Sequence, residues 1–128
     1  MPTSLEDVFK HAWDEWNRGD YNKLGERFDV NIIMKKLDDP GSVVGIGNAL
    51  VYLNENQKLK KPQFTPDKVD KPIIWANETV GQISGTARYL DKQGDPKGPT
   101  PVRFTFTFTR ASEKEEWLII NLFQARSQ

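Results

Sequence analysis

The chain has 128 residues, in which 18 Lys and Arg balance 18 Asp and Glu, with one His and no Cys. A chain of this length holds one domain, because two separate cores would each be marginal, and residues 1–128 are read as a single unit. Zero net charge supplies no field toward nucleic acid or an anionic membrane, and the lack of Cys excludes disulfides, zinc–thiolate sites and thiol nucleophiles.

Ser4 followed by Asp7 reads as a capping box. Beyond it Leu5, Val8, Phe9, Ala12, Trp13 and Trp16 recur at helical spacing and form one apolar stripe. Gly19 takes a left-handed position cheaply and stops this helix. Asp20 then caps a short second helix expected to carry Tyr21, Leu24 and Phe28. Val30 to Leu37 is rich in β-branched residues and ends at the turn Asp38-Asp39-Pro40-Gly41, with Ser42-Val43-Val44 as the return strand. A third helix starts after Gly45 and turns Ile46, Ala49, Leu50 and Leu53 inward. The basic run Lys58-Leu59-Lys60-Lys61 is placed at its end as a solvated terminus.

Pro62 and Pro66 confine the next stretch to a sheet edge. Ile73-Ile74-Trp75 and Thr79 to Leu90 read as strands around a turn at Ala76-Asn77-Glu78, and Asp91 to Pro101 as a hairpin tip. Val102, Phe104, Phe106 and Phe108 alternate with Arg103, Thr105, Thr107 and Thr109, the cleanest period of two in the chain. The last strand, Trp117 to Ala125, is expected to place Trp117, Ile119 and Phe123 on one face and Leu118, Ile120 and Leu122 on the other. An apolar strand of this kind is covered on both faces. With the helices on one side, the expected second cover is another copy, through Leu118, Ile120 and Leu122.

In this order, the helix ending Asn17-Arg18-Gly19-Asp20, the following Leu24 and Phe28, Gly45 before Ala49-Leu50, Gly85, Arg103-Phe104-Thr105-Phe106 and Trp117-Leu118-Ile119-Ile120 resemble the NTF2-like (SnoaL-like) superfamily over Leu5 to Ala125. The resemblance implies an α+β, cone-shaped (cystatin-like) fold, with N-terminal helices packed in a curved antiparallel sheet around a pocket. It also implies homodimers through the outer sheet face. It fixes no reaction, because one fold hosts many activities.

The isomerase branch of that superfamily uses a helix Tyr as oxyanion donor and a strand Asp as base. Aligned on Asn17 to Asp20, these positions fall at Ala12 and near Lys36, so that mechanism is rejected. His11 lies off the apolar stripe and is expected in solvent. The polar residue that many relatives carry six positions after the last-strand Trp is Phe123 here. Asp38-Asp39 is a turn, Gly45-Ile46-Gly47 is a helix start, and no metal-ligand spacing occurs. Arg88 and Arg103 are expected on the exposed sheet face rather than as an anion clamp.

The expected pocket therefore binds a small apolar or aromatic molecule, without a cofactor, among Trp13, Trp16, Tyr52, Trp75, Phe106, Asn121 and Phe123. An assembly module without a ligand is the alternative. An isomerase or hydrolase using an unusual acid or base such as Asp29 or Glu78 is the third reading. No leader-like start and no apolar run near the ~20 residues that span a bilayer are seen. A cytoplasmic protein is expected, with the sequon Asn77-Glu78-Thr79 incidental.

Overall fold

Ser4 opens helix α1 (Leu5–Arg18) by accepting the Asp7 amide proton, and Gly19 closes it at φ 75°, donating its N–H to the Glu15 and Trp16 carbonyls. The structure, a computed structural model, describes residues 2–35, 41–57, 63–90 and 102–126. The expected turn at Asp38-Asp39-Pro40, the run Lys58 to Lys61 and the hairpin tip Asp91 to Pro101 lie outside the described residues. All six stripe residues of α1 are buried, and each large apolar side chain so buried contributes about 1.5–3 kcal/mol.

Helix α2 (Tyr21–Gly25) starts on the Asp20 carboxylate, which accepts the Lys23 N–H. It is shorter than its sequence signal, and Phe28 opens strand β1 (Phe28–Lys35) instead of closing the helix. The reason is the turn at Glu26 and Arg27, whose amides bond back to the Lys23 and Leu24 carbonyls and end the helix. Strand β2 (Ser42–Val44) returns antiparallel to β1. Helix α3 (Ile46–Tyr52) comes next and widens into a π turn at Leu53–Gln57, burying Ala49 and Leu53.

The remaining strands are β3 (Gln63–Val69), β4 (Ile73–Trp75), β5 (Val80–Leu90), β6 (Val102–Thr109) and β7 (Leu118–Arg126). They complete one seven-stranded sheet in the order β2-β1-β7-β6-β5-β3, with β4 pairing to β5 below β3. Among the described residues, β1 with β7 is the one parallel pair. As Pro66 requires, β3 is an edge strand. At Gly85 a Cβ would overlap the Lys68 carbonyl oxygen, so only glycine admits the β3 irregularity between Pro66 and Lys68 against β5.

Two local devices set the ends of the sheet. Ala76, Asn77 and Glu78 all adopt left-handed backbone, at φ 57°, 57° and 63°, at a cost of roughly 1–2 kcal/mol per residue. Arg110 offsets part of this by donating from Nε to the Glu78 carbonyl at 2.7 Å while its guanidinium lies 3.9 Å over the Trp117 ring. The second device is a β-bulge in β7: Phe108 pairs with Ile119 but Thr107 pairs with Asn121, leaving Ile120 as an extra residue.

That extra residue corrects the expected faces of the last strand. Trp117 and Ile119 point into the core as expected, but beyond the bulge the inward residues are Leu122 and Gln124. Leu122 is therefore core rather than outer face, and Phe123 is turned outward and is 41% exposed. A single inserted residue reverses every side chain after it.

Candidate functional site

The helices fill one side of the sheet, and the space between α1 and strands β5–β7 is the interior of the cone. Phe9 and Trp13 meet Phe104 with ring centroids 5.7 and 5.2 Å away, and Phe106 stands edge-on to Phe9 at 5.2 Å. These contacts arise from two periods: the helical stripe brings Phe9 and Trp13 to the sheet, and strict alternation brings Phe104 and Phe106 to the helix. They leave a hollow of about 20 Å³ whose lining includes Trp13, Trp16, Phe104, Phe106, Leu122 and Gln124. A hollow of that size holds one water, whereas small-molecule sites run to roughly 300–1,000 Å³.

Of the residues expected in the pocket, Trp13, Trp16 and Phe106 line this hollow. Tyr52 packs half-buried against the core elsewhere. Trp75 is 44% exposed on β4, and Phe123 is outside. Asn121 is on the outer face beside Ile120, where its Oδ1 is buried with no hydrogen-bond partner. The residue that sequence reasoning missed is Gln124, a buried amide on the hollow. Its signal was the alternation from Phe123, which the bulge inverted.

Glu15 is also a buried polar side chain, 2% exposed. Arg27 meets it with Nε on Oε1 at 2.7 Å and Nη2 on Oε2 at 2.9 Å. That bidentate bond, against opposing desolvation, raises the Arg27 pKa above its ordinary value. The pair ties the end of α1 to the start of β1, and the Arg27 carbonyl accepts the Ile119 N–H at 2.7 Å. It lies at a shallow surface pit shared with His11, Asp14, Arg18 and Lys23, so His11 faces outward as expected.

The outer sheet face has a different chemistry. Its central positions are Leu118, Ile120, Asn121 and Phe123 on β7, Thr105, Thr107 and Thr109 on β6, Val80, Gln82 and Ser84 on β5, and Ile73 and Trp75 on β4. None of them is charged. Lys35, Arg88 and Arg103 stand toward the margins, the two arginines exposed. Ile73, Trp75 and Phe123 are among the large hydrophobic residues left uncovered.

No protein-family profile matches the chain, and no curated protein matches it in sequence. The match is in structure. A Streptomyces avermitilis protein described as a dehydratase of the NTF2-like family superposes with TM-score 0.78 at 15% identity, covering 97% of this chain and 94% of that one. An NTF2-like protein with a cystatin-like fold from Novosphingobium aromaticivorans does so with TM-score 0.71 at 9% identity, covering 94% and 77%. The chain has the NTF2-like fold. A third match to this NTF2-like cone is from Xanthomonas campestris, described as a calcium/calmodulin dependent protein kinase II association domain, with TM-score 0.76, 17% identity and coverage of 96% and 85%. The neighbours of the cone thus carry descriptions of both chemistry and association. Among its own described residues, no helix is long and apolar enough to cross a membrane.

Proposed function

We propose that this chain is a self-association module, pairing through the outer face of its sheet, with a cone that serves as packed support rather than as a reaction chamber. The observation that carries the reading is the contrast between the two faces of the sheet. The inner face at β5–β7 packs on α1 and leaves about 20 Å³, with an open cleft of about 340 Å³ between α1 and β3 at Phe9, Trp13, Thr65 and Pro66, while the outer face is free of charge at its centre and keeps Ile73, Trp75 and Phe123 uncovered. An uncharged centre with exposed aliphatic and aromatic side chains, inside a charged margin, matches the charge depletion at the core of protein–protein interfaces. The similar structure described as an association domain supports the reading to the extent that fold likeness can.

Sedimentation velocity tests it. The wild type is expected to run as a dimer at micromolar concentration, and Ile120→Lys or Phe123→Lys as a folded monomer. A monomeric wild type, or a dimer indifferent to both charges, refutes it.

Gln124 favours a second reading, in which an apolar molecule carrying one polar group enters the cone. Trp13 or Trp16 then has to swing away to make room. A thermal-shift screen checks this, with saturation at 100 times Kd adding about 2.7 kcal/mol of stability. No hit from an aromatic library set, in a chain that dimerises, leaves the first reading alone.

A further inference from the structure

The surface pit along the second half of α1 carries positive charge that the fold does not use. It measures about 210 Å³ and is lined by His11, Asp14, Glu15 and Arg18 of α1, Lys23 of α2 and Arg27 at the entry to β1. Glu15 is fully engaged, because both of its oxygens accept from Arg27. Among the described residues neither Arg18 nor Lys23 forms an ion pair. Asp14 alone among the lining acids is left to face them.

Arg27 itself is presented to the pit in a fixed pose. Glu15 takes its Nε–Nη2 edge at 2.7 and 2.9 Å, which leaves the Nη1–Nη2 edge without a protein partner among the described residues. Glu15 is 2% exposed and the Arg27 side chain 24%, so the bonded edge faces inward and the open edge is the part that solvent reaches. A buried ion pair adds little stability that an apolar pair of the same volume would not supply. What it does supply is a guanidinium held in one plane, ready for a second bidentate acceptor.

We propose that this pit binds the phosphate group of a small molecule. The open edge of Arg27 takes two of its oxygens, Arg18 and Lys23 neutralise its charge, and His11 offers a further N–H on the rim. Phosphate suits several converging donors better than a carboxylate, whose oxygens one fork already satisfies. Asp14 in the pit, with Glu26 and Glu116 in the field of Arg27, works against the anion and holds its affinity to the millimolar range. The site lies on the helix side of the molecule, so it stands or falls apart from self-association.

Amide NMR titration with inorganic phosphate, against chloride at matched ionic strength, tests it. Saturable shifts are expected within residues 11–27. Glycerol phosphate run beside it separates an esterified ligand, which binds more tightly than the ion, from free phosphate, which binds more tightly than the ester. Arg18→Gln and Lys23→Gln are each expected to weaken binding about tenfold, the contribution of one charge-assisted hydrogen bond. Asp14→Asn, which removes the opposing charge, is expected to tighten it several-fold. Lys71→Gln, which removes a cation between β3 and β4 at the opposite side of the sheet from β1, is expected to leave it unchanged. All four side chains are exposed, so each variant keeps the fold. Shifts no larger than those from chloride, or an equal loss from Lys71→Gln, overturn the site.

Discussion

Breaking the Glu15–Arg27 pair from its two ends is expected to give unequal losses. Glu15 is 2% exposed and Arg27 is 24% exposed at the side chain. In Arg27→Met the carboxylate stays in place, sealed from water and without its counter-charge, which costs about 3–5 kcal/mol. In Glu15→Gln the guanidinium can turn toward solvent and still keep one bond to the amide oxygen, for a loss of about 1–3 kcal/mol. The larger loss is a sizeable share of the roughly 5–15 kcal/mol that holds a domain together, and lowers Tm by about 10–20 °C. Urea unfolding monitored by Trp fluorescence measures both variants. Arg27 stays charged at every pH where the fold is studied, its pKa being raised by the Glu15 hydrogen bond. Equal losses from the two variants would refute the assignment of the burial cost to Glu15.

Packing sets two further expectations. Gly85→Ala drives a methyl into the Lys68 carbonyl and should cost about 1–3 kcal/mol, whereas Gly47→Ala, with nothing within 4 Å of its Cβ position, should gain up to about 1 kcal/mol of helix propensity; chemical denaturation compares them, and a neutral Gly85→Ala would mean that β3 re-seats freely. Phe106→Ala should cost about 3–5 kcal/mol, while Val102→Ile, extending into the hollow it lines, should stay within about 1.5 kcal/mol of wild type. A strongly destabilised Val102→Ile would show that the hollow is not available space.

The helical stripe of α1, the alternation of β6 and the edge placement of β3 were legible because each rests on a local rule: a period of 3.6, a period of two, a missing proline N–H. The interior seen in sequence as Trp13, Trp16 and Phe106 is where those residues sit. What local rules do not carry is the bulge at Ile120. Nothing in Trp117-Leu118-Ile119-Ile120-Asn121-Leu122 marks which residue is unpaired, because apolar side chains suit either face. One misplaced residue then exchanged Leu122 with Phe123 and hid Gln124. The pairing of Glu15 with Arg27 is long-range and was missed for another reason, although Glu15 sits on the buried stripe three residues after Ala12 and next to Trp16. Trp75 was misread as pocket because composition does not say which aromatic residue lies on an edge.

The two indoles on α1 have a consequence for what this scaffold can become. On β5 the inner positions are small, with Gly81, Gly85 and Ala87 around a single Ile83, and Ala87 lines the hollow with both indoles. The volume of the cone is therefore set by the two indoles together with Phe104 and Phe106 of β6 rather than by β5. Trp13 and Trp16 act as a stopper in a vessel whose walls are already built. Shorter residues at those two positions would open space between α1 and the sheet, at about 3–5 kcal/mol of stability each, while Phe9, Phe104 and Phe106 would still line it.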